Sequence, residues 1–254
     1  MSSEGATNVL VTSVEAAAFG TNCYVVATGV GQECLVVDPG IGVVTDLDEV
    51  LAEHRLQPVA VLLTHGHLDH TFSVAPVCEV RGATAWVHPD DRELLAHPEK
   101  GLSTDLGSLF GGRLHYTEPE TVAELPDGGT ITVAGLEITV DHAPGHTPGS
   151  VLFRLPGTDE ATLLVPGVRP ARGVAVEEVC LSGDVLFAGS IGRTDLPGGS
   201  MEQMVDSLRD RILPLPDTTL VLPGHGPATT IGRERATNPY LLDVASPDSK
   251  LRGW

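Results

Sequence analysis

Apolar residues in this chain gather into short runs separated by polar, Gly- and Pro-containing turns. Val59-Ala60-Val61-Leu62-Leu63, bounded by Pro58, is apolar at every position, which predicts a strand buried on both faces. Asn8 to Val14 and Cys23 to Ala27 read as two strands joined at Phe19-Gly20-Thr21, and Cys34 to Asp38 as a third. Leu136 to Val140 alternates, and pairs as a hairpin with Ile131 to Val133 around Ala134-Gly135. Thr84 to Val87, Ser150 to Leu155, Val179 to Leu181 and Thr218 to Leu222 complete the strands. Helical spacing appears between them. Thr45 is placed to cap a helix to about His54, with Leu47, Val50, Leu51 and His54 on one face. Further helices are predicted over Thr71 to Arg81 and Pro89 to Leu95. Another follows the Ser200/Gln203 capping box to Ile212, and the last covers Ile231 to Leu242, broken at Pro239. Two stretches keep no period. Residues 98–120, with Phe110, are expected to border a substrate cleft, and residues 156–177, rich in Pro and Gly, to form an inserted hairpin or flap.

The strand at Val59 runs into Thr64-His65-Gly66-His67-Leu68-Asp69-His70. A solvated turn has no reason to collect three imidazoles and a carboxylate there, and one core histidine would not need such neighbours. Neutral imidazole and carboxylate are the donors of Zn²⁺ and similar ions. If the stretch leaves a loop for a helix, His65 and His67 point one way and Asp69 and His70 to a neighbouring position, which allows two metals. Three more candidates follow later strands, each in a Gly- or Pro-rich turn: His146 in Pro144-Gly145-His146-Thr147-Pro148-Gly149, Asp184 in Ser182-Gly183-Asp184, and His225 in Pro223-Gly224-His225-Gly226. Strand ends are where open α/β sheets hold ligands. Asp38, before Pro39-Gly40, reads equally as a turn residue or as a support for a ligating imidazole. His88 and His97 read as structural, and His142 as a neighbour that supports the His146 turn. Arg193, in Gly192-Arg193-Thr194-Asp195, is the cation nearest the cleft, suited to a substrate carboxylate or a supporting acid.

This set of residues resembles the metallo-β-lactamase-fold hydrolases, and within them the short bacterial glyoxalase II-like (hydroxyacylglutathione hydrolase) proteins. The resemblance runs from Asn22-Cys23-Tyr24 through Asp38-Pro39-Gly40 to Thr237-Asn238-Pro239. It implies an α/β, four-layer αββα sandwich formed by residues 1–254 as one domain. It further implies one metal on His65, His67 and His146, a second on Asp69, His70 and His225, and Asp184 bridging them. The metals are expected to be two divalent ions, Zn²⁺ first and Fe or Mn otherwise. The implied chemistry is hydrolysis of a small-molecule thioester by a metal-bridging hydroxide, with Asp69 and Asp184 as the catalytic carboxylates. A thiolate leaves without much help from a general acid, and no Gly-x-Ser-x-Gly nucleophile motif is present. Glyoxalase II enzymes grip glutathione with basic residues of a C-terminal region. Here Arg233 and Arg235 stand without an Arg-Lys pair, so another thiol carrier or a broader thioester range is expected. The resemblance extends to persulfide dioxygenases, whose single iron would take His65, His146 and Asp184. A metal-binding relative without catalysis is the remaining alternative.

Charge sharpens the class. The chain has 34 Asp+Glu against 15 Lys+Arg, a formal −19, which opposes nucleic-acid backbones. No apolar run is long enough to span a bilayer, and Met1 to Gly20 lacks the pattern of a signal peptide. Cys23, Cys34, Cys78 and Cys180 form no Cys-x-x-Cys pair, so free thiols in a cytoplasmic protein are expected.

Overall fold

The computed structural model describes residues 9–102, 115–159, 162–168 and 176–246. Among these, the first sheet is ordered β1 (Leu10–Ala16), β2 (Thr21–Ala27), β3 (Glu33–Val37), β4 (Gln57–Leu62), β5 (Thr84–Val87) and β6 (Val122–Glu124). It is antiparallel to β3 and parallel beyond it. The second sheet takes β7 (Gly129–Val133), β8 (Leu136–His142), β9 (Val151–Thr158), β10 (Val176–Gly183), β13 (Leu220–Pro223) and β14 (Thr229–Thr230). A small hairpin of β11 (Leu186–Phe187) and β12 (Ser190–Ile191) stands apart.

The period of two explains the layers. Tyr24, Val26, Leu35, Val37, Leu62, Phe153, Leu181 and Leu222 face inward and form the core between the sheets. Their neighbours Cys23, Val25, Cys34, Val36, Val61 and Leu63 face outward, where α1 (Val44–His54) and α3 (Val74–Arg81) cover them with Leu47, Leu51, Val74 and Val77. On the other sheet Leu152, Cys180 and Val221 are covered by α5 (Met201–Ser207), a π-helical turn Leu208–Ile212, α6 (Ile231–Thr237) and α7 (Pro239–Ala245). Strands buried on both faces must be apolar throughout, and the four-layer αββα sandwich follows. The cysteines are free and buried.

Several predicted elements shift. The first strand begins two places later than its apolar run suggests. Thr45 does not cap α1, because the helix starts at Val44 with Val43 at the cap position and no side-chain bond. The helix expected over Thr71 to Arg81 is two pieces, α2 (Leu68–Thr71) and α3, because Ser73 Oγ donates to Gly40 O at 2.6 Å and its N–H to Pro39 O. Pro89–Asp91 is a 3-10 turn before α4 (Arg92–Ala96). Ser200 caps α5 by accepting from Gln203 N, but its own N–H donates to Gly145 O, so the capping box is half made. The stretch 156–177 prolongs the β9–β10 ladder, with Thr158 opposite Val176. Its described residues 162–168 lie along β1, where Leu163 and Val165 enter the core. The rest of that insertion (160–161 and 169–175) and most of the expected cleft border (103–114, with Phe110) lie outside the described residues. Among described residues no helix is long and apolar enough to cross a membrane.

Candidate metal centre

The ends of β4, β8, β10 and β13 reach one edge of the sandwich, and the predicted ligand residues leave from them. The fold brings all seven together. His65, His67 and His146 form one cluster of donor atoms within 4.8 Å of one another, and Asp69, His70 and His225 form a second. Asp184 lies between them: Oδ2 is 3.5 Å from His146 Nε2 and 3.6 Å from His225 Nε2, and Oδ1 is 3.5 Å from His70 Nε2.

Imidazole nitrogens and carboxylate oxygens, all carrying lone pairs, converge here. His67 Nδ1 faces His146 Nε2 at 2.9 Å, and His70 Nε2 faces His225 Nε2 at 3.2 Å. His65 Nε2 and Asp184 Oδ1 are buried without a hydrogen-bond partner. Polar atoms left so cost on the order of 1–3 kcal/mol each. Divalent cations seated in the two clusters would satisfy them, so the donor set fits metal binding.

Three of the imidazoles, His65, His70 and His146, are oriented from behind, as ligating histidines are. His70 Nδ1 lies 3.0 Å from Asp38 Oδ2, and the same carboxylate accepts from Thr64 N at 2.8 Å and Thr64 Oγ1 at 2.6 Å. Thr64 Oγ1 in turn lies 3.0 Å from His65 Nδ1. Asp38 falls within reach of His65 and His70 as a further grouping, but its oxygens are already occupied, so it acts as a support. It holds this place at φ 50, a left-handed conformation that Asp tolerates better than most residues. His146 Nδ1 donates to Arg193 O at 2.7 Å. The side chain of Arg193 is exposed and bound to both oxygens of Asp195, at 2.7 and 2.8 Å. In the structure the contribution of Arg193 to the ligands is therefore its carbonyl. His142 donates Nε2 to Pro148 O at 2.8 Å, beneath the His146 turn, and its ring stacks on buried His88.

The His225 turn is tied to β2. Asn22 N donates to Gly224 O, Asn22 Nδ2 to Pro223 O at 3.0 Å and Gly226 O at 2.9 Å, and Tyr24 Oη to Pro223 O at 2.8 Å. Gly224 is required by proximity: a Cβ there would strike Asp184 Oδ1 and lie 2.7 Å from His70 Cε1.

The two clusters differ electrically. Burial and the neighbouring imidazoles push the pKa of His65 well down and that of His67 to about 3. Burial also opposes a proton on His70, but Asp184, Asp69 and Asp38 outweigh it and hold its pKa at about 10. His225 is raised against its burial by Asp69 and Asp184. Burial would raise Asp69, yet His70, His225 and His67 keep it well below the usual carboxylate range. The second cluster thus attracts positive charge, and a metal seated there would have to displace a proton.

A cleft of about 550 Å³ opens on the clusters, and its apolar lining comes from Phe19, Leu68, Leu102, Phe187, Ile191 and Leu196. Two buried acids escaped the sequence reading. Asp91 accepts from the loops of His67 and His146, and Glu234 accepts from Gly189 N at 2.7 Å and Thr229 Oγ1 at 2.5 Å beneath the β11–β12 hairpin. Neither stands in a readable motif, and only their long-range bonds reveal them.

Comparison with known proteins agrees with this geometry. Residues 16–159 match the Metallo-beta-lactamase superfamily. An uncharacterised protein of Mycobacterium tuberculosis is 42% identical over 92% of this chain and 98% of its own length. The hydroxyacylglutathione hydrolase GloC of Haemophilus influenzae is 32% identical over 88% of this chain and 94% of its own. Among solved structures, the B3 metallo-beta-lactamase BLEG-1 superposes with a TM-score of 0.72 at 32% identity, covering 91% of this chain and 99% of that one. A protein crystallised in a di-iron-bound form gives 0.68 at 33%, covering 90% and 99%. With its two donor clusters meeting at one carboxylate inside an αββα sandwich, this chain belongs to the metallo-beta-lactamase superfamily, as a hydrolase-type, metal-binding member.

Proposed function

We propose that this protein is a dinuclear-metal hydrolase that cleaves a small-molecule thioester, of the S-2-hydroxyacyl-thiol kind. The observation that carries the reading is the reach of Asp184 into both clusters, Oδ2 towards His146 and His225 and Oδ1 towards His70. His65, His67 and His146 would hold one metal, Asp69, His70 and His225 the other, and Asp184 both. When bound, such a pair supplies a nucleophile at neutral pH by lowering the pKa of water and polarises a carbonyl oxygen.

The chain's own residues account for the rest. Asp69, held well below the usual carboxylate range by His70, His225 and His67, keeps negative charge at the cleft floor. Phe19, Leu68, Phe187 and Ile191 cover an acyl or thiol stem with apolar surface and exclude water. Arg193, the cation in the cleft lining, is held by Asp195. A thiolate, with a parent pKa of about 8.5, is the leaving group that needs least help. Similarity to a hydroxyacylglutathione hydrolase supports the same reading.

The test is thiol release from S-lactoylglutathione by protein of measured metal content, with His146→Ala as control. Fast, metal-dependent release that the variant loses supports the proposal. Absence of release from two-metal protein against a panel of thioesters overturns it. Cephalosporin opening would then favour a lactamase, and oxygen uptake with glutathione persulfide by one-iron protein would favour a dioxygenase.

A further inference from the structure

Asp91 is fully buried in the 3-10 turn Pro89–Asp91, outside every donor cluster. Its carboxylate accepts hydrogen bonds from two separate loops. Oδ2 accepts from Gly66 N and Thr147 Oγ1, each at 2.7 Å, and Oδ1 accepts from Gly149 N at 2.7 Å. Gly66 lies between His65 and His67, while Thr147 and Gly149 follow His146. These bonds land beside all three residues of the first cluster. The second cluster is held by other groups: Asp38 on His70, and Asn22 and Tyr24 on the His225 turn. The loops approach Asp91 so closely that a Cβ at position 149 would lie 2.6 Å from its Cγ.

Resting on the two-metal reading, we infer that Asp91 is a positioning residue for the first metal alone: it clamps the His65–His67 turn to the His146 turn and sets the 2.9 Å approach of His67 Nδ1 to His146 Nε2. The chemistry requires a carboxylate. Three donors converge, and a carboxylate is acceptor-only at both oxygens. An amide presents its NH₂ to Gly66 N–H and Thr147 or to Gly149 N–H, leaving a buried donor unpaired. The clamp is then released on one side, and the two imidazole-bearing turns separate.

The experiment is a cobalt(II) titration of metal-free protein followed by visible absorption. His146→Ala and His225→Ala mark the bands of each position, and the unfolding midpoint of the metal-free protein is measured alongside. Wild type should take two equivalents. Asp91→Asn should retain the second position and weaken the first by about 10–100-fold, the range for lost support of a ligand. Equal weakening of both positions, tracking a lower midpoint, would show a merely structural role and overturn the inference, as would two unchanged affinities. Thr147→Val removes one of the three donors and should weaken the same position less. If Asp91→Asn does not fold, this variant decides: selective weakening supports the clamp, and none refutes it. Wild-type protein that takes up no cobalt would refute the two-metal reading itself, a result visible before any variant is compared.

Discussion

At the scale of single residues, a few side chains carry most of the chemistry, and Asp184 carries the most. It approaches both clusters from a buried place with one oxygen unpartnered. Asp184→Ala should abolish most hydrolysis and deplete metal at both positions, as measured by metal analysis after gel filtration. Two retained metals with a near-normal rate would contradict the shared-ligand assignment. His88 gives a pH prediction away from the metals. Burial and the stacked His142 lower its pKa, against the pull of Asp90, Asp127 and Asp91. The unfolded chain, with a histidine pKa of about 6.5, therefore binds more protons than the folded one just below that pH. Stability should fall as pH drops from about 6.5 towards the folded value. His88→Asn keeps an acceptor for Asp90 N, which His88 Nδ1 caps at 3.3 Å, and removes the titration. Its unfolding midpoint should decline less than that of wild type between pH 6.5 and 5. A parallel decline would place the proton elsewhere. The ligand histidines were legible as residue types because a metal constrains which atoms must be present. Asp91 was not, because nothing local separates its carboxylate from a surface one.

At the scale of elements, strands were easier to read than helices. Strands buried on both faces need apolar residues at each position, so Val59 to Leu63 and Thr219 to Leu222 stood out. Helix limits here are set by distant groups. Ser73 breaks the helix after His70 by bonding Gly40, and Gly145 takes the N–H of Ser200. Asn238 shows how an element end serves the cleft. Its Oδ1 caps α7 through Tyr240 N at 3.0 Å, and its Nδ2 donates to Glu234 Oε2 and Ser190 O, each at 3.0 Å. Asn238→Ala should cost about 1–3 kcal/mol, by loss of the cap and of buried partners. Because the β11–β12 hairpin lines the cleft, KM should rise as well. A lower unfolding midpoint with unchanged KM would limit Asn238 to stability.

For the whole molecule, metal binding is expected to be coupled to folding. The clusters join turns from both sheets, and their lone pairs repel unless a cation lies between them. Chelation should remove activity and lower the unfolding midpoint. Free metal at 100 times its dissociation constant adds about 2.7 kcal/mol to the folded state, so readdition should restore both in a concentration-dependent way. A midpoint indifferent to metal would argue that the clusters close without it.

The chain read alone settles which atoms are available and which segments must be buried. Ligand types in turns after apolar strands, the strand runs themselves and the acidic balance are all properties of neighbouring residues. Tertiary structure alone decides how those atoms pair. The meeting of His67 with His146, the place of Asp184 between clusters, and the bonds of Asp38, Asp91 and Glu234 join residues far apart in sequence. Periodicity reports which face of an element is buried, whereas the hydrogen bonds that orient a ligand depend on where two sheets bring their loop ends, and local sequence does not encode that distance.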